Sequence, residues 1–300
     1  MMKIQIEHDS DYTYQTDVEL AHHLAYLRPR NTDWQKVLST ELEILPKPDT
    51  QTEGHDAFGN RRTFFTLSTP HAALKVRARS VVTLTDRYAK FDVEQASAWE
   101  DVRDALAYAL DRPYLAASEF AFPSPYVPRL TELRRYAEHS FTPGRNLAEA
   151  SLELSFRIYK DFKYAPTATE VHTPILEAFN KRAGVCQDFS HILIGCLRAM
   201  GLSAQYVSGY LLTKSVSGAA KLRGADASHA WAAVYCPQAP GHWLELDPTN
   251  NVMAGLSHVR LAIGRDFGDV SPLRGVIRGG GEHELAIGVT VEAVDQPLAT

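Results

Sequence analysis

Residues 184–201 read Gly184-Val185-Cys186-Gln187-Asp188-Phe189-Ser190-His191-Ile192-Leu193-Ile194-Gly195-Cys196-Leu197-Arg198-Ala199-Met200-Gly201. Phe189, Ile192, Leu193, Cys196, Leu197 and Met200 recur at the spacing of one helix face, and Gly201 supplies a stop. Cys186 therefore stands in the first turn of a helix. Unpaired backbone N–H groups and the positive end of the helix dipole converge there and favour an anion. The thiolate is the nucleophilic form of cysteine. The same N–H groups can hold the oxyanion of a tetrahedral intermediate. Asp188 in that turn opposes a thiolate by like charge, so an imidazolium is needed nearby.

Downstream of this helix the pattern changes to strands: Tyr206-Val207-Ser208-Gly209-Tyr210-Leu211, Ala230-Trp231-Ala232-Ala233-Val234-Tyr235 and Trp243-Leu244-Glu245-Leu246-Asp247. His229 stands just before the second of these, after the small residues Ala227-Ser228. A strand edge is a rigid mount for a general base. Asp247 ends the third, ahead of the stop Pro248-Thr249-Asn250. If the two strands pair, Asp247 can bond one ring nitrogen of His229 while the other faces sulfur, which fixes tautomer and orientation. The expected nucleophile, base and orienting acid are thus Cys186, His229 and Asp247.

Upstream, Thr173-Pro174 reads as a helix start, with Ile175, Leu176 and Phe179 buried and Gly184 as the stop. Asn146 is the expected N-cap of a longer helix whose buried stripe is Leu147, Ala150, Leu154 and Ile158. Before it, Pro113, Pro123, Pro125 and Pro128 break the chain into an extended connector. A shorter helix carries Trp99, Val102, Leu106 and Ala109. The first hundred residues read as β structure: Ile4 and Ile6, Tyr12 and Tyr14, and Leu74, Val76 and Ala78 all sit at period two. The tail from Leu285 through Ile287, Val289 and Val291 alternates again and should edge a sheet. The class is α+β, with an N-terminal antiparallel β domain over 1–95, a helical, proline-rich connector over 96–145 and a third region over 146–300.

Hydrophobic residues make up 45% of the chain and charged residues 22%, with a formal charge of −5 and no long run of either sign. That balance belongs to a globular protein and offers no basic surface for nucleic acid or anionic lipid. No nucleic-acid or membrane partner is expected. Three cysteines are too few for a disulfide framework. The first residues alternate as a strand rather than forming the apolar core of a signal peptide, so a reducing cytoplasm is expected. No paired Cys-x-x-Cys or His-x-x-x-His spacing points to a metal, and no cofactor is expected.

The segment Gly184–His191 resembles the nucleophile motif of the bacterial transglutaminase-like family. Ser228-His229-Ala230-Trp231 resembles its histidine motif and Asp247-Pro248-Thr249-Asn250 its aspartate motif. Tyr206–Tyr210, Gly264-Arg265-Asp266 with Pro272–Gly275, and Phe58-Gly59-Asn60 in the β region are similar to that family too, in the same order. One departure is Ser203-Ala204-Gln205, where the family usually has Pro-Ala-Arg. The resemblance implies a papain-like core in the third region, preceded by the family's β domain. It also implies cysteine-dependent acyl transfer on peptide or protein amides through a thioester, with Tyr164 as a side-chain oxyanion donor. Hydrolysis is preferred over cross-linking, and the alternative is a non-catalytic peptide- or protein-binding module that keeps the fold. Among the remaining residues, Cys196 is expected in the core, Cys236 at a strand end, His191 in a structural or surface role, and Trp231 on the same side as His229. Arg265 is expected to pair with Asp266.

Overall fold

The computed structural model of the chain describes residues 1–111, 113–213 and 228–294. Ala227, expected to give His229 a close approach, lies outside the described residues. The alternating stretches near the N-terminus become β1 (Met2–Ala25), β2 (Gln35–Leu45), β3 (Thr50–His55), β4 (Arg61–Leu67) and β5 (His71–Leu84), an antiparallel sheet in the order β2-β5-β1-β4-β3. Ile4, Ile6, Leu74, Val76 and Ala78 are buried while Lys75 and Arg79 face solvent, as period two requires.

The connector is more ordered than its prolines suggest. It holds α1 (Trp99–Leu106), a six-residue 3₁₀ helix (Ala116–Ala121) and α2 (Thr131–Glu138). Ala109 falls beyond the end of α1. Phe120, Val127, Leu133 and Phe141 from the connector join the main hydrophobic cluster, so it is part of the packed body. α3 (Leu147–Asp161) begins where expected: the Asn146 Oδ1 accepts from the N–H groups of Ala148 at 2.8 Å and Glu149 at 3.1 Å. Then follow β6 (Lys163–Tyr164), α4 (Ile175–Lys181), β7 (Ala183–Gly184) and α5 (Cys186–Ala199). The helix stop after α4 is Arg182, in the left-handed region at φ 52°, and not Gly184.

A second antiparallel sheet, in the order β11-β10-β9-β8-β12, is built from β8 (Ala204–Leu211), β9 (Ser228–Tyr235), β10 (Trp243–Asp247), β11 (Val252–Met253) and β12 (His258–Gly264). Ala230, Ala232, Val234, Leu244 and Leu246 share one face and pack in a single cluster with Phe189, Ile192, Leu193 and Leu197 of α5. The other face carries Val207, Trp231 and Ala233, packed with Phe58 of the N-terminal region.

β12 is an edge strand, and edges expose unpaired backbone groups. Two side-chain amides from the N-terminal region pair with it as a neighbouring strand would. Gln35 accepts from the Arg260 N–H and donates to the Arg260 carbonyl, both at 2.8 Å. Asn60 accepts from the Ile263 N–H at 2.9 Å and donates to its carbonyl at 2.6 Å. That is the physical role of Phe58-Gly59-Asn60: Gly59 at φ 75° turns the chain so that the amide reaches the edge.

After α6 (Phe267–Val270), β13 (Leu273–Gly279) and β14 (His283–Ala293) both hydrogen-bond to β1. The C-terminal strands therefore complete the N-terminal sheet, a correction to the division that put all of 146–300 in one unit. The alternation in β14 matches burial only in part, with Val289 and Val291 buried and Leu285 and Ile287 exposed, and it carries no information on which sheet the strand joins. Val289 and Val291 pack against Ile4, Ile6, Tyr210 and Val259, where both sheets meet.

Candidate active site

Cys186 is the first residue of α5, and its surroundings explain why the chain can start a helix there. The Asp188 carboxylate reaches back and accepts from the Val185 N–H at 2.8 Å, satisfying one donor of the helix end. It also accepts from the Thr169 hydroxyl at 2.6 Å. Burial pushes Asp188 up, and these two hydrogen bonds offset part of that. Gly184 is needed for this arrangement, because a Cβ there would lie 2.4 Å from the Asp188 Oδ2. The short parallel pair β6–β7 sets Tyr164 opposite Gly184. The half-exposed Tyr164 phenol thus stands beside the Cys186 end of α5, within electrostatic reach of the sulfur.

His229 is the second residue of β9 and Asp247 the last of β10. The His229 Nε2 lies 2.8 Å from Asp247 Oδ2, and Cys186 lies close enough to the imidazole to favour its protonated form. The chain thus brings the three expected residues together from α5, β9 and β10. Burial alone would lower the His229 pKa, but interactions with Asp247 and Cys186 outweigh it and raise the value to about 10. Burial would raise Asp247, yet the bonds from His229, His258 and Asn250 hold it below the usual carboxylate range.

Asp247 has further partners. Its Oδ1 accepts from the N–H groups of Thr249 at 2.9 Å and Asn250 at 3.2 Å, and Oδ2 from the Asn250 side chain at 2.6 Å. The Pro248-Thr249-Asn250 turn is therefore a clasp on the acid as well as a strand stop. His258, at the start of β12, places Nε2 3.1 Å from the same Oδ2. It is missed in the sequence: His258 opens a strand much as His229 does, but it lies in none of the family motifs and its strand is not among those expected. The His229, Asp247 and His258 ligand atoms lie within 4.8 Å of one another. Contacts of 2.8 and 3.1 Å are those of direct hydrogen bonds. Both imidazoles thus meet on one carboxylate oxygen.

Other expected residues fall as follows. Trp231 is fully buried on the His229 side, its ring centroid 6.1 Å from that imidazole, and its indole N–H donates to Glu245 Oε2 at 2.8 Å. His191 is buried and accepts from the Phe267 N–H at 3.2 Å; burial lowers it to about 3. Cys196 and Cys236 are buried, which raises both thiols, whereas Cys186 is partly exposed. Arg265 pairs with Asp269 at 2.9 Å rather than with Asp266. Asp266 is occupied in accepting from the N–H groups of Gly268 and Tyr126, both at 2.9 Å. Tyr206, noted only as part of a strand, is a buried phenol within electrostatic reach of Cys186 and Asp188.

A sulfur beside an imidazole that is hydrogen-bonded to a carboxylate, on a sheet-and-helix core, is the equipment of a cysteine-based catalyst. Residues 4–83 match the bacterial transglutaminase-like N-terminal region, and residues 134–248 match the transglutaminase-like superfamily core. An uncharacterized protein of Mycobacterium tuberculosis is 37% identical over 299 residues, covering 97% of this chain and 92% of the relative. A second uncharacterized protein, from Mycobacterium leprae, is 29% identical, covering 97% of this chain and 99% of its own. The crystal structure of a proposed cysteine protease from Cytophaga hutchinsonii shares the fold, with TM-score 0.74 and 20% identity over 99% of this chain and 92% of that one. The chain belongs to the bacterial transglutaminase-like family. Among the described residues, no helix is long and apolar enough to cross a membrane.

Proposed function

We propose that Cys186, His229 and Asp247 act as a catalytic triad that hydrolyses amide bonds of a peptide or protein. The observation that carries this reading is the His229 imidazole, 2.8 Å from Asp247 and within interacting reach of Cys186 at the start of α5. The Cys186 thiolate attacks the amide carbonyl, and the resulting oxyanion is met by N–H groups of the first turn of α5, with Tyr164 as a side-chain donor. The His229 imidazolium then gives its proton to the leaving amine as the C–N bond breaks, leaving a thioester. Water, deprotonated by His229, attacks that thioester; acid is released and the thiol re-forms. The cycle needs no cofactor.

Hydrolysis is preferred because a cross-linking enzyme needs a protected second cleft to favour an amine over water. A cytoplasmic setting suits three free thiols. The substrate is proposed to be a peptide or protein, with neither nucleic acid nor membrane as partner.

Two measurements test the reading. Iodoacetamide near neutral pH should modify Cys186 faster than the buried Cys196 and Cys236, as mapped by mass spectrometry. Cys186→Ala should lower turnover of peptide-amide probes by about 10⁴-fold or more. Equal, slow labelling of all three thiols favours a non-catalytic binding module. Incorporation of a labelled primary amine into the probe would point to transamidation.

A further inference from the structure

Asp247 is held by more donors than a third triad member needs. Backbone N–H groups of Thr249 and Asn250 fix Oδ1, while the Asn250 amide and His229 share Oδ2. The carboxylate is anchored without any help from β12. Even so, His258 reaches the same Oδ2 at 3.1 Å, with its side chain only 2% exposed. Its other ring nitrogen lies 3.1 Å from the Ser257 hydroxyl, so Ser257 can bond to Nδ1 while Nε2–H points at the acid. Trp231 stands edge-on to the ring, with centroids 5.2 Å apart. The approach is possible because β8, between β9 and β12, presents Gly209 opposite both His229 and Arg260.

Position being already settled, what His258 can still alter is charge. One carboxylate oxygen serves two imidazoles, and each donor that draws on Oδ2 weakens what the other feels. The charged or titratable groups facing this spot are Asp247 on β10, His229 on β9 with Cys186 of α5 beside it, and Arg260 further along β12. Arg260 is engaged with Glu245, which also pairs with Arg87. The adjacent Trp231 is uncharged. His258 is therefore the group placed to compete with His229 for the acid.

We propose that His258 is a positioning residue acting through Asp247: by sharing Oδ2 it loosens the acid's hold on the His229 proton, leaving that imidazolium able to donate to a leaving group. The inference rests on the triad reading above. It separates two needs, since a base that keeps its proton too firmly makes a poor acid in the next step.

The test uses the full chain with ring-¹⁵N histidine, following the pH at which the His229 ring loses its proton. His258→Phe removes the donor and keeps bulk beside Trp231; His258→Leu serves the same purpose if the larger ring does not fit. In the donor-free variants that pH should rise by about half to one unit, a roughly three- to tenfold tighter proton. His258→Gln, which keeps an N–H donor, should return it toward the wild-type value. A folded donor-free variant with an unchanged or lowered value overturns the proposal, as does an equal shift in His258→Gln. His229→Ala separates failures: if it leaves iodoacetamide labelling of Cys186 unchanged, the triad reading itself has failed. If it slows labelling while His258→Phe leaves the His229 titration unmoved, only the role of His258 falls.

Discussion

Toward α5 the second sheet presents Ala230, Ala232, Val234, Leu244 and Leu246, all buried and all apolar. Its opposite face presents Trp231, Glu245, Asp247, His258 and Arg260, also buried yet rich in charge. Small and branched apolar side chains let α5 lie close to the sheet, which sets where Cys186 stands. Shape complementarity is enough there. The polar face works under a harder constraint, because every buried charge must find a partner. Glu245 lies between Arg87 at 2.7 Å and Arg260, and it accepts from the Trp231 indole. The Arg87 guanidinium stacks 3.6 Å from the centre of the Trp34 ring. Trp34 and Arg87 come from the N-terminal third of the chain, as do Gln35 and Asn60 at the β12 edge. The difference between the faces shows what that region contributes. It neutralises and caps the back of the sheet that carries His229 and Asp247.

The sharpest way to break this contrast is Glu245→Ala. It strands two buried guanidinium groups and should cost about 3–5 kcal/mol of stability, read by denaturant unfolding. Trp231 would also lose its acceptor, so slower Cys186 labelling is expected alongside. A loss below about 1 kcal/mol would mean that the cluster is open to water and the faces differ less than described.

Gly209→Ala probes the crossing point between the polar side chains. A Cβ there would meet the Val259 carbonyl oxygen at 2.1 Å and Trp231 at 2.5 Å. The backbone contact cannot be relieved by a rotamer change, so about 1–3 kcal/mol should be lost. The fluorescence of the tryptophans should report movement of Trp231. An unperturbed melting curve would contradict the close packing of β8, β9 and β12.

The smallest effect is the slope of stability with pH. His229 is raised on folding to about 10, so its contribution is complete below about pH 6.5 and fades as pH climbs toward 10. Asp247 is depressed, so its contribution holds above about pH 4 and is lost in acid. Burial lowers His8 and His23 to about 4 and His191 to about 3. The unfolded chain therefore takes up protons below about pH 6.5 that the fold excludes, and stability falls on that side as well. Melting temperature should peak near roughly pH 6.5. His229→Ala should flatten the alkaline decline and keep the acidic one; an unchanged alkaline slope would show that His229 does not cause it.

Much of the site is readable in the sequence because its signals are local. A cysteine ahead of a helical stripe, a histidine opening a strand and an aspartate closing one each mark the end of a regular element. Alternation in β1 and β5, and the Asn146 cap of α3, depend only on near neighbours in the chain. His258 is not readable, because it meets Asp247 through the pairing of β12 with β8. Gly184 reads as a helix stop and is not one, for a related reason: its missing side chain makes room for the Asp188 carboxylate, a contact that periodicity cannot reveal.

From the sequence alone follow the switch from strands to helices and back, Cys186 at a helix start, and the expectation that His229 and Asp247 serve it as base and acid. Tertiary structure decided that the C-terminal strands return to β1, that Gln35 and Asn60 seal an edge, and that Asp247 serves two histidines. Periodicity reports which side of an element is buried, because burial repeats with the backbone's own geometry. It is silent on what covers that side, since partners distant in the chain are chosen by the packing of the whole molecule.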